Sequence, residues 1–399
     1  QYMGVPAAVH WYSWHQIPFD DNYPHYFPVK EGFVEGVKRL QEAGVRVMPY
    51  INGRLWDTRD RGTEDYQFTS RALPSATKDA QGKPVTETYG SKEADDTPVR
   101  LAVMCPTTEL WQTVVRDTVL RIMNEVGTHG VYIDQIAAAA PVLCMDASHG
   151  HPVGGGHWWT RDGYWPLLRE IRKRMPAGHM ITTECAAEPY AHVLDANLTW
   201  DWQGNGMVPA LPAIYGGRVQ YFGRNYAAGA TTRDLALCMK MGQQLVFGEQ
   251  IGWLSPAIAQ ENVAGSFLKQ VVGVRYRNVR FFSAGEMARP PALAGDIPDV
   301  RADWAWYGET WVTTPAVLTG AWMRPKQREL LLLFVNVSDQ PVRTRFDWNA
   351  AGYGVKAKRI TVIETAGLGE PGSERALPAR TQRIMNLAPR TVQTWLVRW

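Results

Sequence analysis

HGVYIDQIAAAAPVLC, residues 129–144, sets the question for the whole chain. A glycine leads into the apolar run Val131, Tyr132 and Ile133, and Asp134 stands where that run stops, with Gln135 beside it. A short run rich in β-branched and aromatic residues, bounded by glycine, forms a buried strand. A carboxylate at the tip of such a strand costs free energy unless it is paired, hydrogen-bonded or used. In α/β proteins with parallel sheets, the C-terminal strand ends are where ligands bind.

On both sides of this segment, up to about residue 280, strand-like runs alternate with helical spacing. VPAAVHWYSWH (5–15), VRVMPYING (45–53), VRLAVMCP (99–106) and GVYID (130–134) read as four strands. HMITTEC (179–185), ANLTWDWQ (196–203), GRVQYFGR (217–224) and LVFGEQIGW (245–253) read as four more. Between them lie apolar residues at intervals of three and four, as in GFVEGVKRLQEAG (32–44), TTELWQTVVRDTVLRIMNEVG (107–127) and TRDGYWPLLREIRKRMP (160–176). Eight strand–helix repeats predict an α/β fold of the (β/α)8 TIM-barrel type, with Asp134 after the fourth strand. A doubly wound sheet is the alternative. It requires a glycine-rich phosphate turn after the first strand, and HWYSWHQIPFDD contains no glycine.

Past residue 280 the pattern changes. MARPPALAGDIPDV (287–300) reads as a linker, and RELLLLFVNVSD, QPVRTRFDW, KRITVIET and RTVQTWLVRW read as strands separated by polar turns. The expected organisation is a catalytic barrel over 1–285, then a linker and a C-terminal antiparallel β-sandwich over 286–399.

The bulk properties exclude several functions. The 399 residues carry a net charge of +3 with no basic stripe, so nucleic acid is not an expected partner. No apolar run is long enough to span a membrane. The four cysteines Cys105, Cys144, Cys185 and Cys238 show no CxxC spacing, and buried free thiols are expected. Cys105 and Cys144 both follow expected strands and could approach each other. The chain starts with Gln1 and shows no signal peptide, which reads as a processed or truncated piece. A secreted or periplasmic location is expected over the cytoplasm.

The strand ends collect polar and aromatic groups. His10, Trp11, Trp14 and His15 follow the first strand, and Tyr50, Asn52, Arg54 and Asp57 stand at the end of the second. Asp134 and Gln135, Glu184, Trp200 and Asp201, Tyr221, and Glu249 follow later ones. Seventeen tryptophans offer flat apolar faces that suit sugar rings. Of Trp11, Trp14, Trp56, Trp158, Trp200 and Trp202, at least three should face Asp134. Asp134 and Glu184 are the expected catalytic pair, because glycoside hydrolysis needs two carboxyl groups in unequal surroundings. Arg54 is the expected cationic neighbour of Asp134, which would make Asp134 the nucleophile and Glu184 the acid/base.

The order of these residues carries a resemblance. GVYID followed by a glutamate on the next strand resembles the retaining α-glycosidase barrels. HWYSWHQIPFDDNYPHYFP, VMPYINGRLWD and HPVGGGHWW bring the chain nearest the endo-α-N-acetylgalactosaminidase family and related bacterial glycoside hydrolases, over residues 5–255. The resemblance implies an Asp nucleophile after strand four, a Glu acid/base after strand five, and an oligosaccharide or glycoconjugate substrate. The α-amylase GxRxDxxxH pattern is absent, with Tyr132 where its arginine would stand.

The insertion PVLCMDASHGHPVGGGHWW holds Asp146, His149, His151 and His157. HxH with Asp can bind a metal, but the three glycines favour a loop over the sugar, with His157 and Trp158 as substrate contacts. Neither metal nor cofactor is expected. The alternatives are a non-catalytic carbohydrate-binding barrel and a transglycosylase on the same scaffold. A metal-dependent hydrolase needs HxH at the end of strand one, where the chain reads HWYSWH.

Overall fold

The computed structural model describes residues 2–62, 66–153, 158–227, 231–305 and 308–399. Two compact units are present: Pro6–Asn197, and Leu198–Trp399 together with the residues before Pro6.

In the first unit, β1 (Ala7–Trp11) leads to α1 (Phe33–Glu42) and β2 (Val45–Asn52). Phe33 and Val37, four residues apart, bury one face of α1. Gly44, at φ 77°, then turns the chain into β2. Strands β3 (Leu55–Asp57), β4 (Thr86–Glu87) and β5 (Leu101–Val103) follow. After them come α2 (Glu109–Arg121), β6 (Gly130–Asp134), α3 (Trp165–Arg174), β7 (Met180–Glu184) and β8 (Ala196–Leu198). β1, β2, β6 and β7 are joined by parallel pairing in that order, and β8 is next. Gly130 permits a close approach between β6 and β7: a Cβ there would lie 2.5 Å from the Met180 carbonyl oxygen.

One expected barrel strand is placed elsewhere. VRLAVMCP contributes β5, which pairs antiparallel with β3 and β4 in a separate three-stranded sheet. β2 therefore pairs directly with β6, and GVYID is the third strand of the parallel set rather than the fourth. A three-residue run buried on both faces gives the same local signal in either sheet, so periodicity cannot separate the two.

The second unit begins with α4 (Ala210–Tyr215), β9 (Gln220–Phe222), α5 (Arg233–Val246), α6 (Asn262–Arg277) and α7 (Val279–Ala284). The expected strand 245–253 is reduced to one parallel bridge between Gln250 and Phe222, because α5 runs on to Val246. Short strands β10 (Glu286–Met287), β11 (Leu293–Ala294), β12 (Asp299–Asp303) and β13 (Trp311–Pro315) lead to β14 (Val317–Arg324) and β15 (Glu329–Asn336). β16 (Val342–Asn349), β17 (Thr361–Ala366), β18 (Arg375–Ala376), β19 (Arg380–Leu387) and β20 (Thr391–Arg398) complete the chain.

These strands form antiparallel sheets in the orders β10-β14-β15-β20-β17-β18 and β11-β16-β19. The run ELLLLFVN is explained by its central place. Leu331, Leu333 and Val335 pack with α5 and α6, while Leu330, Leu332 and Phe334 pack with Phe346, Trp348, Met385 and Trp395. β16 alternates strictly instead: Val342, Thr344, Phe346 and Trp348 are buried and the residues between them are exposed.

A buried carboxylate pair as candidate active site

Register brings Asp134 and Glu184 together. β6 and β7 pair Gly130 with Met180, Val131 with Ile181, Tyr132 with Thr182 and Ile133 with Thr183. The same offset sets Asp134 beside Glu184 at neighbouring strand ends, both on the face that carries Tyr132 and Thr182. On the other side, Asn52 of β2 is opposite Asp134 and Tyr50 is opposite Tyr132.

Electrostatics couples the two acids. Burial holds the Asp134 carboxyl well above the usual range, and the adjacent Glu184 carboxyl raises it further. The Tyr50 hydroxyl opposes this by donating to Asp134 Oδ2 at 3.0 Å. Two adjacent carboxyl groups in a buried site cannot both ionise readily, so the pair tends to keep one proton between them. The residue after each acid adopts left-handed backbone: Gln135 at φ 66° and Cys185 at φ 55°. Such conformations cost about 1–3 kcal/mol and concentrate at functional sites.

Tyrosines line this site, of which the sequence reading set only Tyr50 among its strand-end groups. Tyr50 stacks on Tyr12 at 4.7 Å and on Tyr132 at 6.0 Å, with Phe19 at 5.2 Å. Tyr23, Tyr26, Tyr50 and Tyr132 are all held protonated by burial. Phe19 and Tyr89 are exposed. Asp20, also missed, has its carboxyl pushed up to about 6 by burial, against the Tyr23 hydroxyl. Tyr132 was legible, since it lies two residues before Asp134 on the same strand face. Tyr12, Phe19, Asp20 and Tyr23 sit in the segment after β1, which has no periodicity to read.

The other expected residues divide. His10 stacks against Tyr12 at 4.7 Å and Tyr132 at 4.2 Å, and burial lowers its pKa to about 3, so it is neutral. Asn52 uses Oδ1 to accept from the backbone N–H groups of Arg54 and Leu55, and its buried Nδ2 has no protein partner. Gln135 donates to the Tyr89 hydroxyl at 2.7 Å, and its buried Oε1 has no protein partner. Arg54 does not pair with Asp134. It bonds Glu87 at 2.6 Å, because it leaves β2 toward the small antiparallel sheet.

Four of the expected tryptophan contacts are packing residues. Trp11 packs edge-on against Phe33 at 4.9 Å, and Trp14 donates to the Tyr50 carbonyl at 2.7 Å from a buried position. Trp56 is buried beside His25, and Trp158 is stacked flat on His151 at 3.7 Å. His15 Nδ1 donates to the Ile17 carbonyl at 2.7 Å. His157 lies outside the described residues.

Trp200, Asp201, Tyr221 and Glu249 belong to the second unit. Trp200 is exposed, Tyr221 packs on Trp202 at 5.3 Å, and Glu249 is fully buried. Burial pushes the Glu249 carboxyl up to about 8, and Thr199 donates to it at 2.5 Å. Asp21, Asp57 and Glu93 cluster in the first unit, but Arg61 lies within ion-pair distance of all three.

The first unit is thus a parallel α/β body of TIM-barrel-like kind, with an acid pair at its strand ends. The chain belongs to the family described as "Domain of unknown function (DUF6259)", whose model matches residues 1–226. A Bacteroides thetaiotaomicron protein named "Putative glycoside hydrolase" is 34% identical over 347 residues, covering 85% of this chain and 49% of that protein. A Monosiga brevicollis protein, "Putative glycoside hydrolase 22789", is 34% identical over 268 residues, covering 62% of this chain and 22% of that protein. The chain therefore spans about half or less of the curated relatives it matches. In fold it is similar to the Thermotoga neapolitana maltogenic alpha-amylase AmyB, at TM-score 0.58 and 11% identity over 100% of this chain and 91% of that one. It is also similar to the Bifidobacterium bifidum alpha-N-acetylgalactosaminidase NagBb, at TM-score 0.55 and 14% identity over 84% and 48%.

Proposed function

We propose that this chain is the catalytic part of a retaining glycoside hydrolase acting on an α-linked saccharide. The single observation carrying this is the register of β6 and β7, which sets the Asp134 and Glu184 carboxyls side by side among buried tyrosines. The relatives' names support the reaction class. The likeness to the endo-α-N-acetylgalactosaminidase family supports an N-acetylhexosamine-bearing glycoconjugate as the substrate to test first. The catalytic body is a barrel over 1–285, followed by a β-sandwich over 286–399 that the shared apolar cluster of the two antiparallel sheets favours. The expected site of action is secreted or periplasmic. Among the described residues no helix is long and apolar enough to cross a membrane.

In this mechanism Glu184 protonates the glycosidic oxygen while Asp134 attacks the anomeric carbon, forming a glycosyl-enzyme and releasing the first product. Glu184 then takes a proton from water, which displaces Asp134 with net retention. The pair supplies one acid and one nucleophile when its proton rests on Glu184; the Tyr50 hydroxyl favours that state by donating to Asp134, against burial and the Glu184 charge, and the resemblance supports the same assignment of roles. Tyr50 aligns Asp134 through its hydroxyl. Asn52 Nδ2 and Gln135 Oε1 offer a donor and an acceptor to sugar hydroxyls, and His10 offers a neutral ring. The experiment is hydrolysis of a panel of aryl α-glycosides, led by the α-N-acetylgalactosaminide, with NMR of the first-formed sugar. Release with retained anomeric configuration is expected. Inverted product, or neither turnover nor saccharide binding across the panel by a folded chain, refutes the proposal.

A further inference from the structure

The segment between β6 and α3 was expected to be a sugar-covering loop, yet its two described histidines turn away from solvent. Cys105, Cys144, His149 and His151 are all buried, and one ligand atom from each lies within 4.8 Å of the others. Cys105 comes from just beyond β5; the other three come from the insertion. We propose that these four side chains bind one zinc ion, as a structural site that fastens the insertion to the end of β5.

The hydrogen bonds around the cluster select the correct tautomer for each histidine. His149 Nε2 donates to the Pro74 carbonyl at 2.8 Å, so its proton is on that nitrogen. Nδ1 is left as a lone pair, 3.4 Å from Cys144 Sγ. His151 Nδ1 donates to the Pro152 carbonyl at 3.0 Å. Its Nε2 is buried, is left as a lone pair and has no protein partner. A carbonyl oxygen can only accept, so both tautomers follow from these contacts. Fixing a ligating imidazole by a bond from its far nitrogen is how proteins orient zinc ligands. His151 is held further by its flat stack on Trp158 at 3.7 Å.

The sulfurs lie at the same place. Cys144 Sγ accepts from the Lys78 backbone N–H at 3.4 Å, and Cys105 Sγ lies 3.2 Å from the Thr107 hydroxyl. The ion itself displaces the thiol protons on binding, so both sulfurs coordinate as thiolates. Two thiolates and two neutral imidazoles balance a divalent cation, which removes the cost of burying its charge. The donor set is that of a closed tetrahedral zinc site. With Zn–S near 2.3 Å and Zn–N near 2.0–2.1 Å, the tetrahedron's edges are about 3.3–3.8 Å, a small contraction of the present cluster. No position is left for water, so the ion is structural rather than catalytic. The site stands independently of the glycosidase proposal.

The test is elemental analysis of the full chain purified without an immobilised-metal step. About one zinc per chain is expected, falling below about a fifth of that in Cys144→Ser and in the milder His151→Asn. Cobalt exchange of the wild-type chain provides a second readout that needs no variant. Tetrahedral cobalt bound by sulfur gives intense visible bands and a near-ultraviolet thiolate charge-transfer band. Three results would overturn the proposal: a folded wild-type chain without zinc, zinc unchanged in both variants, or a Cys105–Cys144 disulfide in the purified chain. Weak octahedral cobalt bands would do the same.

Discussion

Tyr50→Phe removes one oxygen and tests the electrostatics of the acid pair. The Tyr50 hydroxyl donates to Asp134 Oδ2 at 3.0 Å. A hydrogen bond to a charged acceptor contributes about 1.5–3 kcal/mol. If that bond persists to the transition state, its loss lowers kcat/KM by roughly 10–150-fold, at 1.36 kcal/mol per factor of ten. The phenyl ring keeps the stacks on Tyr12 and Tyr132, so the fold should change by less than about 1 kcal/mol. Without the hydroxyl, burial and Glu184 act on Asp134 unopposed by that donor, so its carboxyl rises further. The acidic limb of kcat/KM should then move to higher pH. The assay is a pH–rate profile of both proteins on whichever aryl α-glycoside the wild type cleaves, with melting curves alongside. An unchanged kcat/KM and an unmoved limb in a folded variant would refute this role, as would a loss confined to melting temperature.

Asp134→Asn should abolish turnover, about 10⁴-fold or more as is usual when a nucleophile is lost, while circular dichroism and gel filtration stay native. Glu184→Gln should keep activity on substrates with good leaving groups and recover the second step with azide, read as the glycosyl azide by mass spectrometry. Glu249 has a folded pKa raised from 4.5 to about 8, so the native state holds its proton more tightly than the unfolded chain does. Its contribution is therefore full below about 4.5 and is lost as pH rises through about 8. Glu249→Gln should flatten the fall in melting temperature across that window; an identical pH dependence in both proteins would count against it. Cys185→Gly relieves a left-handed residue at φ 55°. It should stabilise the fold by up to about 1 kcal/mol in denaturant titration, and kcat should fall if that strain positions Glu184.

Local pattern reveals some of this molecule and not the rest. GVYID and HMITTEC were readable as strands because their composition and bounding residues leave few alternatives. That Asp134 and Glu184 stand at adjacent strand ends was readable from the order of the strands; the residue-by-residue register that Gly130 and Met180 begin was not, because the insertion between them masks it. β5 was misassigned for a related reason: three buried residues do not say which sheet they join. β14 was missed because Gly320 interrupts its run; in the fold a Cβ there would lie 2.9 Å from the Val246 side chain, so glycine is demanded by packing. Of the tryptophans singled out, Trp14, Trp56 and Trp158 are buried packing residues, whereas the phenol of Tyr50 reaches Asp134 with a hydroxyl that donates. Of the proposed zinc ligands, the HxH of the insertion and the approach of Cys105 to Cys144 were each readable, but no spacing such as CxxC joins the two.

The most direct measurement is covalent trapping of the nucleophile. The chain is incubated with an α-configured cyclitol aziridine or a 2-deoxy-2-fluoro glycosyl fluoride matching the sugar it cleaves, digested, and mapped by tandem mass spectrometry. The proposed mechanism predicts one glycosyl ester, on Asp134, absent from Asp134→Asn. A label on Glu184, Asp201 or Glu249, or an active enzyme that is never trapped and releases inverted sugar, would contradict it.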